Sequence, residues 1–185
     1  MPTRWTIRSI MRAMLPVLLA LTMVEIGSGL VLGSFESTLL QYPTLLALVP
    51  VTIGTAGNLG SILAARLSTA FHLGTLSFGR EDEVLTGNAV ATILLAVTIF
   101  PVVGFGAWTL TWVIGGTKLG LPIVVLVSLV SGIVLAFVAI LVTLVATYVA
   151  YRFELDPDDV VIPVVTNACD VLGVIVLFVV VQLLV

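Results

Sequence analysis

Two carboxylates stand inside long apolar runs of this chain, Asp170 in Val160–Val185 and Glu25 in Ala13–Gly33. An ionisable group at membrane depth is costly and marks an ion path, a proton relay or a specific partner. Around Asp170, the residues Pro163, Thr166, Asn167 and Gly173 recur at steps of three and four, so a helix carries all five on one face. A second stripe of the same kind is made by Pro50, Gly54, Gly57, Asn58 and Ser61, with Thr52 and Thr55 beside it. Glycine lowers helix stability by about 1 kcal/mol per residue. Gly54, Gly57 and Gly60 therefore predict a kinked or locally unwound stretch, whose freed carbonyls could face a cation. Glu36 is a further carboxylate near the outer end of the first apolar run.

Stripes of small and polar residues also pack helices closely and hydrogen-bond them to one another. That account suits Gly173 and Thr166, but a packing seam does not need an aspartate. For Glu25 three roles stand open: proton site, second cation ligand, or hydrogen-bond partner of another helix, the last supported by the nearby Gly29 and Gly33. Cys169 reads as a small core residue, and His72 as a solitary interfacial residue in a loop rather than a ligand. The run Glu81-Asp82-Glu83 reads as a solvated face that would also attract divalent cations.

Carboxylate, carboxamide, hydroxyl and carbonyl oxygens are hard donors that suit Mg2+, Ca2+ and Mn2+. No Lys or Arg lies within an apolar run, which excludes an anion site there, and intramembrane Cys/His clusters are missing. Mg2+ keeps several waters and is held by one or two carboxylates. One aspartate per chain anchors a hydrated ion, and a two-fold dimer would bring two copies of Asp170 to one path.

The elements that must position these residues follow from composition. Of 185 residues 60% are hydrophobic and 9% charged, with a mean hydropathy of +1.29, against about 25% charged in a soluble domain. Soluble folds, nucleic-acid binders, disulfide scaffolds and disordered chains are excluded. A span needs about 20 apolar residues, and five runs qualify: 13–33, 43–65, 89–114, 121–150 and 160–185. The expected architecture is an all-α integral membrane protein of five transmembrane helices, a single transport domain over 1–185 without a soluble regulatory domain. Arg4, Arg8, Arg12, Arg66, Arg80 and Arg152 fall on one side of these spans and Lys118 alone on the other. The basic side is cytoplasmic, so the amino terminus is expected inside and the carboxyl terminus outside. Tyr42, Trp108 and Trp112 fall at outer ends, Trp5, Tyr148 and Tyr151 at inner ends. Leu67–Phe78 is mildly amphipathic and expected along the inner interface. Glu25 and the lack of a small-x-small site argue against a cleaved signal.

The stretches PVTIGTAGNLGSILAARLSTAFHLG, Pro50–Gly74, and DPDDVVIPVVTNACDVLG, Asp156–Gly173, resemble the membrane domain of MgtE-type magnesium transporters and the related eukaryotic solute carriers. The specific parts are Gly57-Asn58-x-Gly60, Asp156-Pro157, and Pro163 through Asp170 and Gly173. The resemblance implies a homodimeric Mg2+ channel in the cell membrane, lined by the second and fifth spans, with Asp170 as the pore aspartate holding hydrated Mg2+. The family's Gly-Gly-Asn reads Ala56-Gly57-Asn58 here, a departure that bears on metal preference. Large cytoplasmic sensing domains precede the first span in bacterial members, and only a dozen residues do so here. The candidate metal residues are Asp170, Asn58, Asn167, Thr166, Gly57, Glu25 and Glu36. Expected partners are a second copy, membrane lipids and divalent cations, with Mg2+ as cargo and Mn2+ or Ca2+ as alternatives, and no nucleic acid. Two competing readings are proton- or sodium-coupled cation exchange, with Glu25 as the coupling group, and a non-transporting assembly subunit. An enzyme is not expected: no His-Glu-x-x-His, no serine–histidine pair within the spans and no phosphate-cradling loop occurs.

Overall fold

The computed structural model describes residues 6–76 and 82–185. Every regular element among them is helical: α1 (Ile7–Ser34), α2 (Glu36–Gln41), α3 (Pro43–His72), α4 (Glu83–Val113), α5 (Leu121–Arg152) and α6 (Pro157–Leu184). All but α2 are long and apolar enough to cross a membrane. Local chemistry sets their limits. Asp82 and Asp156 cap α4 and α6, Asp82 Oδ1 accepting from the backbone N–H of Val84 and Leu85 at 3.0 and 3.1 Å. Proline occupies the first turn of α3, α5 and α6, where its missing N–H costs nothing. Helices α3 and α4 end in left-handed glycines, Gly74 (φ 67°) and Gly115 (φ 78°). In each case the next residue donates back to the helix, Thr75 to the Ala70 carbonyl and Gly116 to the Thr111 carbonyl, at 3.0 and 2.9 Å.

Five membrane helices are what composition predicted, but their limits differ. The capping aspartates start α4 six residues and α6 three residues before the predicted spans. The segment expected to lie along the interface from Leu67 instead continues α3 to His72, with Leu67, Ser68 and Ala70 buried against the bundle. His72 is thus the last residue of a helix and not part of a loop. Nor does α3 unwind: it is an uninterrupted helix through Gly54, Gly57 and Gly60. Helix–helix packing outweighs the intrinsic cost of glycine, and the carbonyl left without a helical donor is that of Leu46, four residues before Pro50. The short helix α2 was not foreseen. Arg4, Trp5, Arg80 and Glu81, and the end of the amphipathic segment at 77–78, lie outside the described residues.

Helix α6 is central. It packs against α3, α5 and α1, while α4 packs against α3 and α5. Contacts between α3 and α6 pair rising with falling residue numbers, so the two run antiparallel. Helix α1 meets α6 in parallel, Glu25 beside Asn167 and Phe35 stacked on Phe178 with ring centroids 3.9 Å apart. Aromatic side chains gather at both ends of the bundle. Trp108 and Trp112 stack near the start of α3, and Phe71 meets Tyr151 edge-on near Arg152; these are called below the tryptophan and arginine ends.

The core divides in two along the helices. Leu45, Leu48, Val124, Val127, Leu177 and Phe178 fill the tryptophan half; Phe100, Leu135, Ala139, Val161, Val165 and Cys169 fill the other. Cys169 is therefore the core residue its type suggested. The α4–α5 seam rests on small residues. The Phe100 ring lies where a side chain at Gly132 would stand, and Ser128 Oγ donates to the Phe100 carbonyl at 2.7 Å. Gly132→Val is expected to destabilise the protein by about 1–3 kcal/mol, as overpacking does, and to leave ion transport per folded molecule intact. Thermal unfolding in detergent, read beside flux, checks this.

Candidate cation pathway

Small residues let α3 and α6 approach closely at mid-membrane. A Cβ on Gly60 would collide with Val165, and one on Gly173 would come within 2.9 Å of Ile53 Cγ1. Between these contacts lies Gly57. A Cβ there would stand 3.5 Å from Thr166 Cγ2 and 3.9 Å from Asp170 Oδ1. The glycine leaves the Asp170 carboxylate beside bare backbone. Asp170 sits about 20 Å along α6 from Pro157 by helical rise, at the middle of the span. It is half-buried, and no donor among the described residues hydrogen-bonds to it.

The polar face expected on α6 is shared between two neighbours. Asp170 and Gly173 meet α3, Pro163 and Asn167 meet α1, and Thr166 meets Ser61 of α3 while also bordering the groove beside α1. Thr166 Oγ1 lies 3.1 Å from Ser61 Oγ and donates to the Ile162 carbonyl at 2.9 Å, while Ser61 Oγ donates to the Gly57 carbonyl at 2.7 Å. With those protons held by protein oxygens, the hydroxyls offer lone pairs to anything beside them. Ser61 is the member that the list of candidate ligands lacked. Its place on the glycine stripe was the available signal.

Asn167 is almost fully buried and donates its Nδ2 hydrogen to Glu25 Oε1. This orients the carboxamide and leaves its Oδ1 as an acceptor. Of the three roles open for Glu25, the observed contact is the hydrogen bond between helices. Glu25 also borders a groove of about 310 Å³ between α1 and α6, walled by Leu18, Thr22, Ile162 and Pro163. Asn58 is exposed beside Gly57, with no side-chain hydrogen bond among the described residues. Glu36 is not part of this group; it borders a separate groove with Gly29, Gly33 and Leu39.

Among the described residues no Cα of α1 comes within 8 Å of one in α3. The two helices flank α6 and leave an open furrow over it. On one side Glu25 of α1 meets Asn167, and on the other Gly57 and Ser61 of α3 meet Asp170 and Thr166. The donors are two carboxylates, Asp170 without a hydrogen-bond donor and Glu25 bonded to Asn167, among neutral oxygens, with no cationic side chain beside them among the described residues. Such a lining attracts a cation and is too sparse to strip it of water.

Residues 49–180 match the family model of MgtE, a divalent cation transporter. Comparison with curated proteins finds no match.

The Glu25–Asn167 contact joins α1 to the floor of the furrow and is expected to register energetically. A double-mutant cycle of Glu25→Ala and Asn167→Ala, read by unfolding in detergent, should give a coupling of about 0.6–1.7 kcal/mol, the range found for hydrogen bonds between membrane helices. Additive single effects would mean that the two side chains do not bond in the membrane.

Proposed function

Because the chain belongs to the MgtE family of divalent cation transporters and is a multi-pass membrane protein, we propose that it conducts hydrated Mg2+ along the furrow, past Asp170. The observation that carries this reading is the Asp170 carboxylate, half-buried at mid-span, without a hydrogen-bond donor among the described residues and set against the bare backbone of Gly57. A resident structural aspartate would be paired. An aspartate awaiting a cation is not.

In a single copy the furrow is open on one side, and a carboxylate facing lipid costs about 2.5–3.5 kcal/mol on insertion scales. Two copies related by a two-fold axis would close it, with α3 and α6 of each lining one path and two Asp170 carboxylates facing across it. The whole chain then acts as one transport domain. Its amino terminus is cytoplasmic, because the arginine end collects Arg66 and Arg152 while Lys118 lies at the tryptophan end. Asn58, Thr166 and Asn167 contribute neutral oxygens that order the ion's water shell without trapping it. Glu25 acts through Asn167, and Glu36 stands at the rim.

Mg2+ flux into liposomes holding the purified protein tests the reading. Asp170→Asn keeps size and removes the charge; flux should fall about tenfold or more, equivalent to losing roughly 1.4 kcal/mol of ion binding. Parent-like transport by this variant would sink the proposal. Gly57→Leu should block flux by filling the space beside Asp170 while the protein stays folded. Asn58→Asp should raise thermal stabilisation by Mg2+ and slow conduction, since a second charge holds the ion longer. Flux that follows an imposed pH gradient instead would favour coupled exchange, and a monomer in mild detergent would count against the shared path.

A further inference from the structure

At the arginine end, the last residue of α3 meets the first turn of α6. His72 Nε2 lies 4.0 Å from Asp156 Oδ1. One ligand atom from each of His72, Asp156 and Asp158 lies within 4.8 Å of the other two, and all three side chains are exposed.

The imidazole is oriented from behind. His72 Nδ1 stands 2.9 Å from the Ser68 carbonyl oxygen, an acceptor that only a protonated Nδ1 satisfies. In the neutral ring the proton therefore sits on Nδ1, and Nε2 carries a lone pair. Near it stand two carboxylates, which are themselves acceptors only. A separation of 4.0 Å is too long for an N–H···O bond, and with the ring neutral three acceptors stand together there. Asp156 Oδ1 is held in turn by the Asp158 backbone N–H at 3.1 Å. A histidine whose far nitrogen donates to a backbone carbonyl, facing a carboxylate fixed by a main-chain N–H, is the outer shell that aims ligands at a metal.

We propose that His72, Asp156 and Asp158 form a second cation site, distinct from the furrow, which takes a borderline divalent metal such as Zn2+ or Co2+ in preference to Mg2+. The imidazole decides the class. It suits zinc, cobalt and nickel, whereas Mg2+ is served by oxygen ligands and water. Metal–ligand distances of about 2.0–2.2 Å require the three atoms to close by roughly an ångström, and exposed side chains on two helix ends can make that movement. Water fills the remaining positions. The metal would tie the end of α3 to the start of α6. Restraint of the helices beside Asp170 is a consequence that rests on the proposed pathway; the metal site itself does not.

Co2+ is the probe, since its visible absorption and intensity report coordination directly. Titrated into the full-length protein in detergent, Co2+ should bind one ion per chain, yield to Zn2+, and withstand a large excess of Mg2+. His72→Gln and Asp158→Asn should each weaken binding about 10–100-fold, and Asp158→Asn keeps the backbone N–H that caps the helix. Asp170→Asn should leave the Co2+ spectrum unchanged, which separates this site from the furrow. Three results would overturn the proposal. They are no Co2+ band with the fold intact, a band indifferent to both His72→Gln and Asp158→Asn, and a band displaced by equimolar Mg2+ or lost in Asp170→Asn. The first would leave His72 and Asp156 as an exposed ion pair alone.

Discussion

The close antiparallel contact of α3 with α6 is the constraint from which the rest of the structure follows. In a bilayer no hydrophobic force drives helices together, so association depends on close packing and hydrogen bonds. Gly60 against Val165 and Gly173 against Ile53 provide the packing. Ser61 and Thr166 bring their hydroxyl oxygens to 3.1 Å of each other across the seam. Held at that distance, Asp170 stands beside the Gly57 backbone rather than a side chain. A carboxylate so placed has no hydrogen-bond donor among the described residues to rest against, and the polar character of the furrow is imposed on α6 by the nearness of α3. The same small residues that answer the packing question leave room for the ion.

Much of this was legible in the sequence, because membrane helices write their periodicity plainly. The five spans, the polar faces of α3 and α6 and the place of Asp170 at mid-span came from hydropathy and from steps of three and four. What was not legible depends on which helix stands next to which. The Pro163–Gly173 stripe looks like one face on a helical wheel, yet Thr166 and Asp170 turn to α3 while Asn167 turns to α1. Glycine propensity argued for a break in α3, but propensity measured in isolated helices omits the packing gained where a glycine meets Val165. Glu25 could not be paired from sequence, as its partner lies 142 residues away. His72 read as solitary because the aspartates it faces lie beyond two intervening helices.

Helix α1 stands apart in this scheme. Its backbone comes close to α6 and the short α2 but not to α3, α4 or α5 among the described residues, and most of its apolar side chains are exposed. Its hold on the bundle is concentrated in two places. The Phe35–Phe178 stack fixes the tryptophan end, and the Glu25–Asn167 hydrogen bond fixes the middle. The second contact matters more for chemistry. A carboxylate in an apolar medium needs a donor, and a buried carboxamide needs an acceptor; each meets the other's need. The contact orients Asn167 and keeps α1 as a wall of the furrow, without which the floor around Asp170 would lie open on both sides.

The furrow and the cluster at the arginine end lie on the same two helices and differ in the hardness of their donors. Around Asp170 every donor is an oxygen, the second carboxylate being that of Glu25, and the lone pairs of Ser61, Thr166 and Asn167 are set by hydrogen bonds within the protein. That lining binds a water shell as readily as an ion, and so favours a cation that keeps its shell. At the arginine end an imidazole nitrogen replaces the neutral oxygens, fixed in orientation by the Ser68 carbonyl and faced by two carboxylates. A nitrogen lone pair pays little attention to hydrated Mg2+ and much to ions that shed water and accept directional donors. Both sets depend on the same antiparallel register of α3 and α6, which places Gly57 opposite Asp170 and His72 opposite Asp156. A shift of one helical turn along that seam would separate both pairs at once.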